Sequence, residues 1–89
     1  MNARTLRPAL DLMRVRQAAA AAGVSRSWLY ARIPEGLWPR PVQIGPRAVA
    51  WPAGEVDAIN AARIAGLSDD EIRALVVKLE AARAAAISA

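Results

Sequence analysis

Apolar positions fall in short blocks separated by glycine and proline, and their spacing changes from block to block. Residues 16–22 are Arg-Gln followed by five alanines, strong helix-forming composition, and Gly23 stops the run. That predicts a first helix of roughly two turns at 3.6 residues per turn. Ser25 stands where an N-cap belongs, and Leu29 and Ile33 follow one helical turn apart, the inner face of a second helix over 26–33. Pro34 cannot supply the backbone donor that a longer helix needs, and Gly36 follows as a terminator. Ahead of both helices, residues 12–15 read as a short extended segment. Residues 1–11 show no sustained periodicity and read as a flexible basic arm.

Further along, Val42-Gln43-Ile44 and Ala48-Val49-Ala50-Trp51 flank Gly45-Pro46-Arg47, the pattern of a β-hairpin with Arg47 at its tip. Residues 53–65 place Val56, Ile59 and Ala62 at helical spacing before Gly66. Ser68-Asp69-Asp70-Glu71 is a capping box, with acids where the helix dipole favours them, and predicts a last helix over about 69–86. Its apolar positions Ile72, Leu75, Leu79, Ala82 and Ala86 repeat at intervals of three and four, a heptad-type seam. Such a seam either folds back on its own domain or joins a second subunit. The core of so short a chain leaves little apolar surface to receive a further helix, so self-association through Ile72, Leu75 and Leu79 is the expectation.

The order helix, turn, short helix, hairpin, helix is that of a winged helix-turn-helix. The predicted fold is therefore mainly α with a small β-hairpin, a winged domain over 12–66 and an extra C-terminal helix over 67–89, the oligomerisation element. In a helix-turn-helix the second helix enters the DNA major groove.

Charge sharpens this picture. The 89 residues carry 12 Lys and Arg against 8 Asp and Glu, a net +4, and Lys78 is the only lysine. The charge is uneven: residues 1–54 hold eight arginines against Asp11 and Glu35, whereas residues 55–89 hold four basic residues against six acids. A basic first half built on arginine suits a phosphate backbone, because guanidinium forks match phosphate oxygens. An anionic membrane surface would attract it too. The apolar run 18–24 is too short and alanine-rich to span a bilayer, so a cytoplasmic, nucleoid-associated protein is expected. With no histidine and no cysteine, no catalytic or metal-ligating constellation can be assembled, and no cofactor or small-molecule substrate is expected.

Three blocks carry a family likeness: Ala22-Gly23-Val24-Ser25-Arg26-Ser27-Trp28-Leu29-Tyr30, Glu35-Gly36-Leu37-Trp38-Pro39-Arg40-Pro41-Val42, and Ile44-Gly45-Pro46-Arg47-Ala48-Val49-Ala50-Trp51 with Glu55-Val56 after it. In this order they resemble the AlpA-like phage regulators and excisionases of the wider MerR-like winged-helix class, over about residues 12–65. The sequence departs from that pattern at Pro34, Leu37 and Ile59. The resemblance implies a non-enzymatic protein of a mobile element that binds double-stranded DNA. It implies either an excisionase, which binds and bends attachment-site DNA beside an integrase, or a transcriptional regulator of excision genes. A protein-interaction module is the rival reading, with the basic first half against it.

By position, the resemblance puts Arg26, Ser27 and Tyr30 on the outer face of the recognition helix and Arg40 and Arg47 on the wing. Arg26 sits where such a helix offers its first side chains to base edges, with guanine the usual partner of arginine. Ser25 caps the helix and lies beside the same face. The Tyr30 ring either covers the core or brings its hydroxyl to a phosphate. Arg47 suits a narrowed minor groove. Arg14, Arg16 and Arg32 are candidate phosphate contacts. Trp28, Trp38 and Trp51 suggest a stacking platform for single strands, but a domain this poor in large side chains needs them as core.

Overall fold

In the computed structural model, which describes residues 10–88, the chain runs β1 (Leu12–Met13), α1 (Val15–Ala22), α2 (Arg26–Arg32), β2 (Val42–Gly45), β3 (Ala48–Pro52), α3 (Ala53–Ile64) and α4 (Asp69–Ala82). A 3-10 helix, Arg83–Ser88, follows. The expected basic arm lies mostly outside the described residues. The fold is mainly helical with a small antiparallel sheet and a C-terminal helix, as the pattern predicts.

Local chemistry explains where the helices begin and end. The Gln17 side chain reaches back to accept the Arg14 backbone N–H at 3.1 Å. At the far end of α1, Gly23 takes φ 71°, and the N–H of Val24 returns to the Ala19 carbonyl at 3.0 Å. That left-handed step suits glycine and turns the chain within two residues into α2. The Ser25 hydroxyl accepts the Trp28 N–H at 3.0 Å, the expected cap. After α2 the chain does not stop abruptly at Pro34. It closes through Leu37 N–H to the Arg32 carbonyl at 3.1 Å, with Gly36 at φ 75°.

The hairpin pairs β2 with β3, Val42 opposite Ala50 and Gln43 opposite Val49, with an irregularity between Gln43 and Gly45. The segment predicted only as extended adds a third strand: β1 pairs with the other edge of β3, Met13 opposite Trp51. The order is β1-β3-β2. Trp38 and Trp51 are fully buried with Leu29, Val56 and Ile59, so these two rings are core. The Trp51 indole N–H donates to the Pro39 carbonyl at 2.8 Å, which fixes the segment leading into the hairpin.

The tail helix packs on its own domain. Ile72 and Val76 of α4 are buried in the same cluster as Trp38 and Ile59, and Leu75 and Leu79 pack partly against it. Of the seam expected to bind a second subunit, Ile72 is buried in this chain's own core and Leu75 and Leu79 are half-buried beside it. The reason is that the two large indoles and Ile59 leave apolar surface that only a further helix covers. Burying an aliphatic side chain is worth roughly 1.5–3 kcal/mol, against about 0–1 kcal/mol for an exposed ion pair, so packing decides where α4 lies. The helix also ends sooner than predicted, at Ala82, and tightens into the 3-10 turn where Arg83 reaches back to the domain.

Candidate nucleic-acid interface

The structure sorts the arginines into two sets. Four are held by acids. Arg32 lies 3.2 Å from Glu35, Arg40 2.8 Å from Glu80, Arg73 3.0 Å from Asp70 and Arg83 2.7 Å from Glu55. A fifth, Arg63, donates to the Ala22 carbonyl at 2.8 Å and to Asn60, and so caps the open carbonyl end of α1. Arg14, Arg16, Arg26 and Arg47 have no acidic or carbonyl partner among the described residues.

The unpaired set lies on three elements of the winged segment. Arg14 and Arg16 lie at the start of α1, Arg26 is the first residue of α2, and Arg47 is in the turn between β2 and β3. Arg26 lies over the Tyr30 ring at 5.6 Å, and Tyr30 meets Trp51 edge to face at 6.2 Å. Trp51 in turn is paired with Met13, next to Arg14. A continuous path of contacts therefore joins the start of α2 to the start of α1 across β3. Ser27 and Tyr30 are exposed on α2, whereas Leu29 is fully buried beneath them. The Tyr30 ring packs against core Trp51 while the residue stays 38% exposed.

Two expected contacts stand elsewhere. Arg32 lies beside Glu35 and over the Trp28 ring at 5.4 Å, and Arg63 lies at the same distance from that ring. Trp28 is thus a half-buried partner of two guanidinium groups. Arg40 precedes β2, at the base of the hairpin and away from its tip. Glu80 accepts its backbone N–H at 2.8 Å and its Nε and Nη2 at 3.0 and 2.8 Å. Partial burial pushes the Glu80 carboxyl up, but the hydrogen bonds from Arg40 and the charges of Arg40 and Arg83 outweigh it, so its pKa lies below the ordinary value.

Sequence reasoning missed the residues that build this back side. Arg83 forks onto Glu55 at 2.8 and 2.7 Å and donates to the Arg40 carbonyl at 2.6 Å. Hydrogen bonding to Glu55 raises the Arg83 pKa against the opposing effect of burial. Glu55 is the one buried charged residue of the described chain, and no local pattern around it marks a partner 28 residues on.

Among the described residues no group of three metal-capable side chains comes together, and no helix is long and apolar enough to cross a membrane.

No solved structure matches the chain. It is 43% identical over 54 residues to a protein of Enterobacteria phage P4 described as uncharacterized protein ORF88, and the match covers 61% of this chain and 61% of that relative. The family model described as prophage CP4-57 regulatory protein (AlpA) matches residues 11–64, from the first strand to the end of α3, and so includes every arginine that lacks an acidic or carbonyl partner among the described residues. The chain belongs to the AlpA family of phage regulatory proteins.

Proposed function

We propose that this protein binds duplex DNA, with α2 in the major groove and the hairpin tip against the neighbouring minor groove. The observation that carries the reading is the arginine sorting. Every described arginine without an acidic or carbonyl partner lies at the start of α1, the start of α2 or the hairpin tip. In this reading Arg26 and Ser27 meet base edges, Tyr30 and the Ser25 region meet the adjoining backbone, Arg14 and Arg16 hold phosphates, and Arg47 enters the minor groove.

The finer role we assign is excision. The protein binds and bends attachment-site DNA of a mobile element beside an integrase. A groove-inserted wing together with a major-groove helix would grip the duplex at two points, contacts that can repay the energy of a bend. The regulatory description of the matching family favours a second reading, control of transcription from a promoter of the element.

Selection from random duplex DNA at moderate salt tests the binding claim. An enriched motif supports it, and its absence sinks it. Footprinting on the element then separates the roles, since protection within the attachment site with a phase-dependent bend supports excision. Protection confined to a promoter, with no bend, supports transcription alone.

A further inference from the structure

We infer that the Glu80–Arg40 pair is an inhibitory contact, in which α4 withholds from DNA a cation that the winged domain would otherwise present. The inference rests on the DNA-binding reading above and adds a regulatory role for a helix outside the family-matched segment.

The geometry is that of a captured side chain. Arg40 is 75% exposed, so solvent and a polyanion have access to it, whereas Glu80 beneath it is only 18% exposed. Glu80 takes the Nε and Nη2 hydrogens, one of the two forks by which guanidinium groups hold phosphate oxygens, and cancels the charge. Its second oxygen accepts the Arg40 backbone N–H, so the carboxylate stays in place even when the side chain swings out. Arg83, bonded to the Arg40 carbonyl and forked onto buried Glu55, holds the same segment from the other side. Arg40 is thus the exposed member of a network whose remaining atoms are fixed. A phosphate reaches the Nε–Nη2 fork only by displacing Glu80, and at the open Nη1 edge it meets a charge that Glu80 already offsets. An exposed pair of this kind is worth at most about 1 kcal/mol, small enough for partner or DNA binding to reverse.

The test uses the full chain with two probes, a mixed-sequence DNA duplex and heparin, each titrated over a range of salt. Glu80→Gln is expected to tighten binding to both about two- to fivefold, the range of an exposed pair. It is also expected to steepen the dependence of log K on log salt by about one contact's worth, roughly 0.9 on B-DNA. Arg40→Gln in the unmodified background is expected to change neither. The double variant returns to the unmodified level. The inference is overturned if Arg40→Gln alone weakens binding and flattens the slope, because Arg40 is then already on phosphate. It is equally overturned if Arg40→Gln costs the same with and without Glu80, the signature of net charge alone, or if Glu80→Gln gives no gain.

Should Glu80→Gln not fold, the Arg40 Nε–H resonance of the unmodified chain decides. It is expected to stay unshifted on heparin binding while that of Arg26 moves, and a shift of both contradicts the contact. Failure of the two readings is distinguishable. No duplex binding by the unmodified chain, with the heparin pattern intact, removes the DNA reading and leaves the contact. Normal duplex binding with Arg40 indifferent to Glu80 removes the contact alone.

Discussion

Arg26 and Arg40 are chemically the same side chain in one basic half of the sequence, yet the fold gives them opposite environments. Arg26 opens α2 over the Tyr30 ring with no acid beside it, while Arg40 is bound by Glu80 through three hydrogen bonds. Replacing Arg26 by alanine is expected to relax preference at one base position by about 1–3 kcal/mol, read from the motif enriched by selection. A stability prediction belongs to Trp51. Trp51→Phe keeps the aromatic bulk but leaves the buried Pro39 carbonyl without its 2.8 Å donor, at an expected cost of about 1–3 kcal/mol in urea unfolding. Ser25 as cap and Leu29 as core were legible because their partners lie within one turn. The fate of Arg40 was not, since its acid lies 40 residues away and no spacing rule reaches that far.

The elements follow the same division between local and distant causes. The capping box at α4 is formed as predicted, with Glu71 N–H to the Ser68 hydroxyl at 3.2 Å and Ser68 N–H to the Glu71 carboxylate at 2.9 Å. Ser68→Ala is expected to destabilise the chain by about 1 kcal/mol in thermal or denaturant unfolding. The Ser68 backbone N–H, then its hydroxyl, holds the Glu71 pKa below the ordinary value, and Glu80 is lowered as well. Both carboxylates therefore contribute stability that is complete above the unfolded glutamate value of about 4.3 and is lost as pH falls through their lower folded values. The melting temperature is expected to drop between neutral pH and about pH 3, with a shallower drop in Glu80→Gln. The facing of α4 was not legible because intervals of three and four describe an apolar stripe without saying what covers it. Ile72 and Val76 complete a core begun by Trp38 and Ile59, a packing match invisible along the sequence. The third strand was equally hidden, since two residues of β1 carry too little pattern to announce their pairing with β3.

At the scale of the whole molecule, a net charge of +4 describes the interface poorly. What distinguishes the proposed DNA face is which arginines lack acidic or carbonyl partners, a property of the folded chain. Residues 11–64 hold that face, and α4 beyond them closes the core and supplies Glu80 to Arg40. The most direct test compares two variants of equal charge, Arg14→Gln/Arg16→Gln from the unpaired set, the pair assigned to phosphates, and Arg32→Gln/Arg73→Gln from the paired set, by duplex binding across a range of salt. The account predicts that the first pair flattens the log–log salt slope by about two contacts, roughly 1.8 on B-DNA, while the second leaves it near that of the unmodified chain. Equal losses in the two variants would contradict it, since net charge rather than the arrangement of unpaired arginines would then govern binding.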